Sequence, residues 1–486
     1  MAGRIRKSVL LMFFILGVAL SSAGGALAAE GAGKKVLTLD DCIYLAVHNS
    51  TAVKAAEFEA EVYRSKKAQA DAARYPQVEM LAVGSASPRA RLKPNSSSES
   101  ETNINNPSYD GVFGRADVQL IQPLYTFGKI DSYRKAGEHG VKAYEAGARL
   151  KATEIALLVK EAYFGLLLGR EIKGLLSDLK GSLDKATDKV NDQLEAEAPG
   201  VDQVDLFKLQ TYQGEIGKYI ALADEGIEKA YFGLRVLTGI PDAQEFDISE
   251  EYLVPAEYGV EDYNTYRSAA LKQRIEFIQL KEGLLAKKAL VDVEKADFYP
   301  QVFLAAFYSL AGATNRDHLN NAYITDEFNH RNGGAVLGLK WALDFGISSG
   351  QVREARAEYM KLKMTQAYAK EGVPFQVKEA YLQLNESNTE IKALSGAYKN
   401  AKQWLVTSMA NFDLGVGEAR DIADSVNAYG RLRADYFRAV FNQRMAIANL
   451  DHATGRDASD IAYNVNTTPM KKFGPEPEKN ETEELN

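Results

Sequence analysis

The sequence predicts an internally duplicated α+β membrane protein, in which four membrane-crossing β-strands per chain feed a barrel shared with other copies and long antiparallel α-helices continue it. Three observations carry this reading: a set of short motifs that occurs twice, two helical stretches of unusual length, and a pair of alternating segments at one end of each. Tyr75-Pro76-Gln77-Val78 returns as Tyr299-Pro300-Gln301-Val302, Phe127-Gly128 as Phe345-Gly346, and Val159-Lys160-Glu161-Ala162-Tyr163 as Val377-Lys378-Glu379-Ala380-Tyr381. Asp205-Leu206, Leu234 and Thr238-Gly239 return as Asp421-Ile422, Leu450 and Thr454-Gly455. Order and spacing are kept, so the chain is two copies of a unit of roughly 215–225 residues, much longer than a solenoid module.

The first element is a leader. Arg4, Arg6 and Lys7 precede an apolar run from Val9 to Leu20, and Ala26-Leu27-Ala28 places small residues at the cleavage positions, which reads as a secretory signal peptide over 1–28. The run is shorter than the ~20 residues of a spanning helix, and no cysteine follows the cleavage site to carry a lipid. Cys42, the single cysteine, has no disulfide partner in the chain and reads as a small packed thiol beside Ile43 and Leu45. Hydrophobic residues at 46% and charged residues at 26% are too polar a mixture for a helical membrane protein. A formal net charge of −8 argues against nucleic acid as a partner.

The first repeat, 29–240, opens with a helix over 41–74, rich in Ala, Glu and Lys and ended by Pro76. Strands follow over 77–86 and 115–124, where Val78, Met80 and Ala82, then Ala116, Val118 and Leu120, alternate with polar residues. The Ser-, Asn- and Pro-rich stretch 84–111 between them is a solvated loop. A helix over 129–195 breaks at Pro199-Gly200, and another runs from Asp202 to Gly239. After a linker or equatorial segment at 241–262, the second repeat, 263–456, gives a helix over 263–297, strands over 300–310 and 335–344 around a polar loop at 311–334, a helix over 347–411, a break at Gly415 and Gly417, and a last helix to about Ala453. The tail, 457–486, has Pro475, Pro477 and a run of Glu, and is expected to be disordered.

At ~1.5 Å per residue the helix over 129–195 is about 100 Å long, and the shorter helices of its repeat, laid end to end, match its length. Strands of nine or ten residues with one apolar face suit a tilted bilayer crossing. Four strands cannot close, and open edges are not tolerated in lipid, so several chains must pool them. Two copies give eight strands, whose interior fills with side chains; three give twelve, the better choice if something must pass. Tyr75, Tyr125, Tyr299 and Trp341, at the strand ends, fit an aromatic girdle at the membrane interface.

With Leu37-Thr38-Leu39-Asp40-Asp41 and Ala46, the paired Tyr-Pro-Gln-Val segments, Gln122-Pro123-Leu124-Tyr125-Thr126-Phe127-Gly128 and the glycine-plus-aspartate tip at 415–424, the chain resembles the TolC-like outer-membrane factor family over roughly 37–456. The resemblance implies a homotrimer in outer-membrane lipid, with a twelve-stranded barrel and a periplasmic α-helical tunnel. It implies a periplasmic adaptor protein and an inner-membrane pump as partners, and export as function. It also implies adaptor docking at the turns Pro199-Gly200 and Gly415-Val416-Gly417, and a tunnel constriction at Asp421 and Asp424, with Asp205 at the equivalent place in the first repeat. Asp421 and Asp424 lie three apart at a helix start, so both project from one face, and threefold symmetry makes them two stacked rings. The helix dipole alone also favours acidic residues there. Phe412 and Gly417 depart from the family, standing where some members carry a tyrosine and an arginine that latch the entrance. No metal-ligand spacing joins the five histidines, and no nucleophile elbow or phosphate loop occurs, so neither an enzyme nor a cofactor is expected. The alternative function is a periplasm-spanning structural trimer that conducts nothing.

Overall fold

The computed structural model describes residues 34–93, 107–197, 201–319 and 323–460. The leader over 1–28 lies outside them, as does the expected tail 457–486 from residue 461 on. Its first residues, 457–460, form a short helix instead, with Asp457 2.7 Å from His452. The chain runs β1 (Lys35–Leu37), α1 (Leu39–Asn49), α2 (Thr51–Ala72), β2 (Gln77–Ser87), β3 (Gly111–Tyr125), α3 (Lys129–Glu195), α4 (Gln203–Thr238), β4 (Phe246–Ile248), α5 (Tyr263–Gln273), α6 (Ile275–Ala296), β5 (Gln301–Ala313), β6 (His330–Lys340), α7 (Ile347–Asp413), α8 (Ala419–Thr454) and α9 (Asp457–Asp460). The helices of the two halves match in length: 11 residues in α1 and α5, 22 in α2 and α6, 67 in α3 and α7, and 36 in α4 and α8. None of these helices is long and apolar enough to cross a membrane.

In each half the long helix is the spine, with α2 and α4 packed on α3, and α5, α6 and α8 packed on α7. Close approach on the strand side uses small residues. A Cβ on Gly140 would lie 3.0 Å from the ring of Tyr63, which stacks on Tyr144 at 3.8 Å. Farther along, leucines take over: Leu175, Leu179, Leu183 and Val190 of α3 are buried with Leu209 of α4, and with Ile422 and Val426 of α8.

The region read as single helices over 41–74 and 263–297 is in each case two. Ser50, at ψ 120, ends α1 and caps α2 by accepting the Val53 N–H. Arg274, at ψ 130, makes the same break in the second half, and its guanidinium lies 2.7 Å from Glu276. The segment 241–262 holds β4, which pairs in parallel with β1, Lys35 opposite Phe246 and Leu37 opposite Ile248. Three-residue strands show no readable period. Leu37, Phe246 and Ile248 pack with Val159, Tyr163 and Leu166 of α3 and Cys42 of α1, and Asp247 is held 2.5 Å from Arg170 and 3.1 Å from Lys34.

The remaining strands form one antiparallel sheet in the order β2-β3-β5-β6. β3 starts earlier than the expected 115, at Gly111, and β6 occupies 330–340 rather than 335–344, so both loops are shorter than read. Register places Val78, Met80, Val118, Leu120, Leu304, Ala306, Leu337 and Leu339 on one face, and Glu79, Arg115, Asp117, Gln119, Ser309, Asn332 and His330 on the other. On the polar face Ser309 Oγ donates to Asp117 at 2.6 Å. Glycines in β6 leave room for aromatic rings of β5: a Cβ on Gly338 would sit 2.3 Å from the Phe303 ring. Among the described residues, the outer edges of β2 and β6 pair with no strand.

Candidate functional site

The sequence singled out the two ends of the molecule, and the fold sets them about 100 Å apart, the length of a 67-residue helix. At the sheet end, Tyr75, Tyr125, Tyr299 and Trp341 all sit where strands meet helices, each about half exposed. Phe127 stacks on Tyr299 with centroids 5.0 Å apart and meets Tyr125 edge-on at 4.7 Å. Trp341 Nε1 donates to the Phe298 carbonyl, as Gln122 Nε2 does to that of Arg74. Phe127 and Phe345 both adopt φ of 49°, a left-handed conformation uncommon for a bulky residue, and each is followed by a glycine of positive φ. The repeated Phe-Gly dipeptide was visible in the sequence, but as a repeat marker rather than as a strand-to-helix corner.

At the far end, Pro199 and Gly200 lie outside the described residues. Gly415, Val416 and Gly417 form the second turn. Gly415 has φ of 77°, its N–H donates to the Phe412 carbonyl, and the Val416 N–H donates to that of Asn411, a Schellman termination of α7. Leu414 and Val416 point outward, more than three-quarters exposed. Gly417 is needed for space, because a Cβ there would meet the Phe412 nitrogen at 2.8 Å.

Asp421 and Asp424 are both exposed on the first turns of α8, while Ile422, Ala423, Ser425 and Val426 between and beside them are buried. The carboxylates therefore share one face and the apolar residues anchor the other. Arg420 Nε stands 3.8 Å from Asp424. In the first repeat Asp205 sits in the first turn of α4, with Lys208 3.7 Å from it. Sequence reasoning missed Lys189 of α3, whose ammonium reaches 3.1 Å from the Asp413 carboxylate at the end of α7. Nothing in the local pattern of α3 marks that residue.

The profile of a family described as outer membrane efflux protein matches residues 42–196 and 267–456, one stretch in each half. No curated protein sequence matches significantly. Similar solved structures include a membrane protein from Pseudomonas aeruginosa (TM-score 0.69, 16% identity, covering 86% of this chain and 90% of that one). The CmeC outer membrane channel of Campylobacter jejuni is similar at TM-score 0.67 and 16% identity, over 92% of this chain and 94% of that one. The outer membrane protein VceC of Vibrio cholerae is similar at TM-score 0.67 and 15% identity, over 86% and 96%. At such identity the likeness is one of fold.

Proposed function

The chain belongs to the outer membrane efflux protein family, and from that premise we propose that three copies form the outer-membrane exit duct of a tripartite efflux or type I secretion assembly in a Gram-negative bacterium. The observation that carries the trimer is the sheet itself: four strands with one apolar face and two outer edges that pair with no strand among the described residues. Exposed edges template further pairing, and lipid does not tolerate them, so the sheet must close with other copies. Twelve strands leave a passage where eight would be filled by side chains.

The polar face, with Arg115, Asp117, Gln119 and His330, then lines the lumen, and the apolar face meets lipid. The strand-end aromatics lie at the periplasmic interface. The loops between β2 and β3 and between β5 and β6 face outside the cell, and the helices extend through the periplasm. At their tips a periplasmic adaptor protein docks on the two turns and couples the duct to an inner-membrane pump. Asp421 and Asp424 form the narrowest part of the tunnel, where rings of carboxylates select cations.

Single-channel recording of the purified protein in a planar bilayer tests the reading. Discrete conductance steps from a trimeric preparation are expected. A stable trimer that inserts and never conducts would instead identify a periplasm-spanning structural protein. Epitope tags in the two extracellular loops should be labelled on intact cells, and labelling only after permeabilisation would reverse the topology.

A further inference from the structure

We propose that the loop between β5 and β6 is a proton-operated strap. Protonated His330 pins residues 326–328 to the polar face of the sheet at its outer end, and loss of the proton releases them, so that acid narrows the outer mouth of the duct. The mouth rests on the duct reading given above, whereas the strap rests on the hydrogen bonds alone.

The strap lies on the polar face because its contacts reach β3. Phe328 meets Phe113 edge-on with centroids 5.2 Å apart, and Glu327 lies 4.0 Å from Arg115. Phe113, Arg115 and Asp117 alternate along β3 and so share a face. Behind these contacts the loop is a tied turn: the carboxylate of Asp326, a residue only 7% exposed, accepts the N–H groups of Leu319, Phe328 and Asn329 at 2.9, 3.0 and 3.1 Å. What holds Asp326 in place therefore holds the turn.

That hold is the His330 ring, and the count of protons in its bonds fixes its charge. Nδ1 lies 2.9 Å from the Asp326 carbonyl oxygen, which can only accept, so Nδ1 carries a proton. Nε2 lies 2.8 Å from Ser309 Oγ. The one proton of that hydroxyl is given to Asp117 at 2.6 Å, so Nε2 must donate as well. Both nitrogens are donors only in the imidazolium. When the ring loses a proton, keeping Nε2–H preserves the charge-assisted bond from Ser309 to Asp117, the stronger of those at stake, and the contact with the Asp326 carbonyl is the one released.

The other charged groups around this network are Asp117 and Arg115 of β3, Asp326 and Glu327 of the loop, and Arg316, 3.8 Å from the centre of the Phe328 ring. β2 brings Leu81 and Val83 to this face, opposite Asp117 and Arg115, and β6 brings Asn332, opposite Ser309. Histidine alone among these side-chain types changes charge between about pH 5 and 8.

A nitroxide on Thr325→Cys, an exposed position in the loop, reports the strap, and Cys42, fully buried, stays unlabelled. One lost hydrogen bond shifts the bound fraction by roughly two- to tenfold, so the label should be immobilised at pH 5 and mobile at pH 8. His330→Leu should leave it mobile at both. Ser309→Ala should leave it immobilised at both, because Nε2 then faces no hydroxyl and the neutral ring keeps its proton on Nδ1. This reversal separates the bond count from a general effect of acid. A pH response that survives His330→Leu, or a Ser309→Ala protein that responds as the parent does, would overturn the inference.

The mouth is read by Gln119→Cys, deeper on the same face of β3. At pH 8 a bulky, membrane-impermeant thiol reagent added to intact cells should modify it several-fold faster in the parent background than with Ser309→Ala. Equal rates would overturn the narrowing. No modification in either background would overturn the duct reading, while the nitroxide still reads the strap.

Discussion

The Lys189 ammonium and the Asp413 carboxylate, 224 residues apart in sequence, meet at 3.1 Å. The same ammonium donates to the carbonyls of Phe412 and Asp413 at 3.2 and 3.0 Å and lies 5.2 Å from the centre of the Phe412 ring. A helix from the first half thus supplies a cation to the exposed carbonyls at the end of α7, where the helix dipole is negative. This contact sits at the start of the turn that carries Gly415 and Gly417.

A Lys189→Met variant should free the α7–α8 turn. A cation at a helix C-terminus contributes about 0.3–1 kcal/mol, so amide exchange over 411–418 should accelerate by up to about fivefold while exchange in the α3 core stays unchanged. Exchange rates equal to those of the parent protein would show that the turn is held by its own hydrogen bonds alone.

The two tip glycines should separate turn stability from docking. At Gly415 a Cβ meets open space and only the left-handed backbone resists, a cost of about 1–2 kcal/mol. Gly415→Arg should therefore leave trimer and membrane insertion intact and abolish export, read as dye retained in cells. At Gly417 a Cβ would press on Phe412 and Asn411, and Gly417→Ala should loosen the turn by about 1–3 kcal/mol. Full export by the Gly415→Arg protein would count against docking at this turn.

Acid should weaken the contact of α2 with α3 at a single carboxylate. Lys67 and Arg134, at 2.7 and 2.8 Å, hold the Asp71 carboxyl at about 2, below its ordinary value of 3.8. A lowered carboxylate stabilises above its unfolded value, and that contribution is lost as pH falls from about 4 toward 2. Melting temperature measured across that window should fall less steeply for Asp71→Asn than for the parent. Parallel curves would mean that this pair carries no acid dependence.

What the sequence revealed depended on range. The α3 boundaries follow from an unbroken helical pattern set between a Phe-Gly corner and Pro199-Gly200. The breaks at Ser50 and Arg274 were hidden because both flanks are helical and neither Pro nor Gly marks them; Ser50 before Thr51 was a readable cap signal, and Arg274 gave none. β1 and β4 are too short for any period, and only their pairing across the chain gives them meaning. At the tip, the common face of Asp421 and Asp424 followed from a three-residue spacing, a local property. Lys189 and the aromatic stack of Phe127 on Tyr299 depend on distant parts of the chain, which local patterns do not encode.

The carboxylates of α8 give the sharpest expectation for transport. Asp421 and Asp424 are solvent-facing while Ile422 and Val426 lock the opposite face into the core, so neither carboxylate is needed to hold the helix in place. This tip presents two exposed carboxylates on one face, Asp421 and Asp424, with Arg420 3.8 Å from Asp424. The other tip has a single carboxylate at the equivalent place, Asp205, with Lys208 at 3.7 Å, and both pairs are weak in water. A helix-dipole role would be met by Asp421 alone, in the first turn, and gives no reason for Asp424 one turn further on. If threefold symmetry stacks both into rings, replacing them removes six negative charges from a narrow passage without removing a buried contact. Asp421→Ala with Asp424→Ala should therefore keep the trimer, bring the cation-to-anion permeability ratio toward unity, and relieve block by multivalent cations in planar-bilayer recordings. A single Asp205→Ala should change selectivity far less. Selectivity unchanged in the double variant would exclude these carboxylates as the constriction and leave the helix dipole as the reason for Asp421.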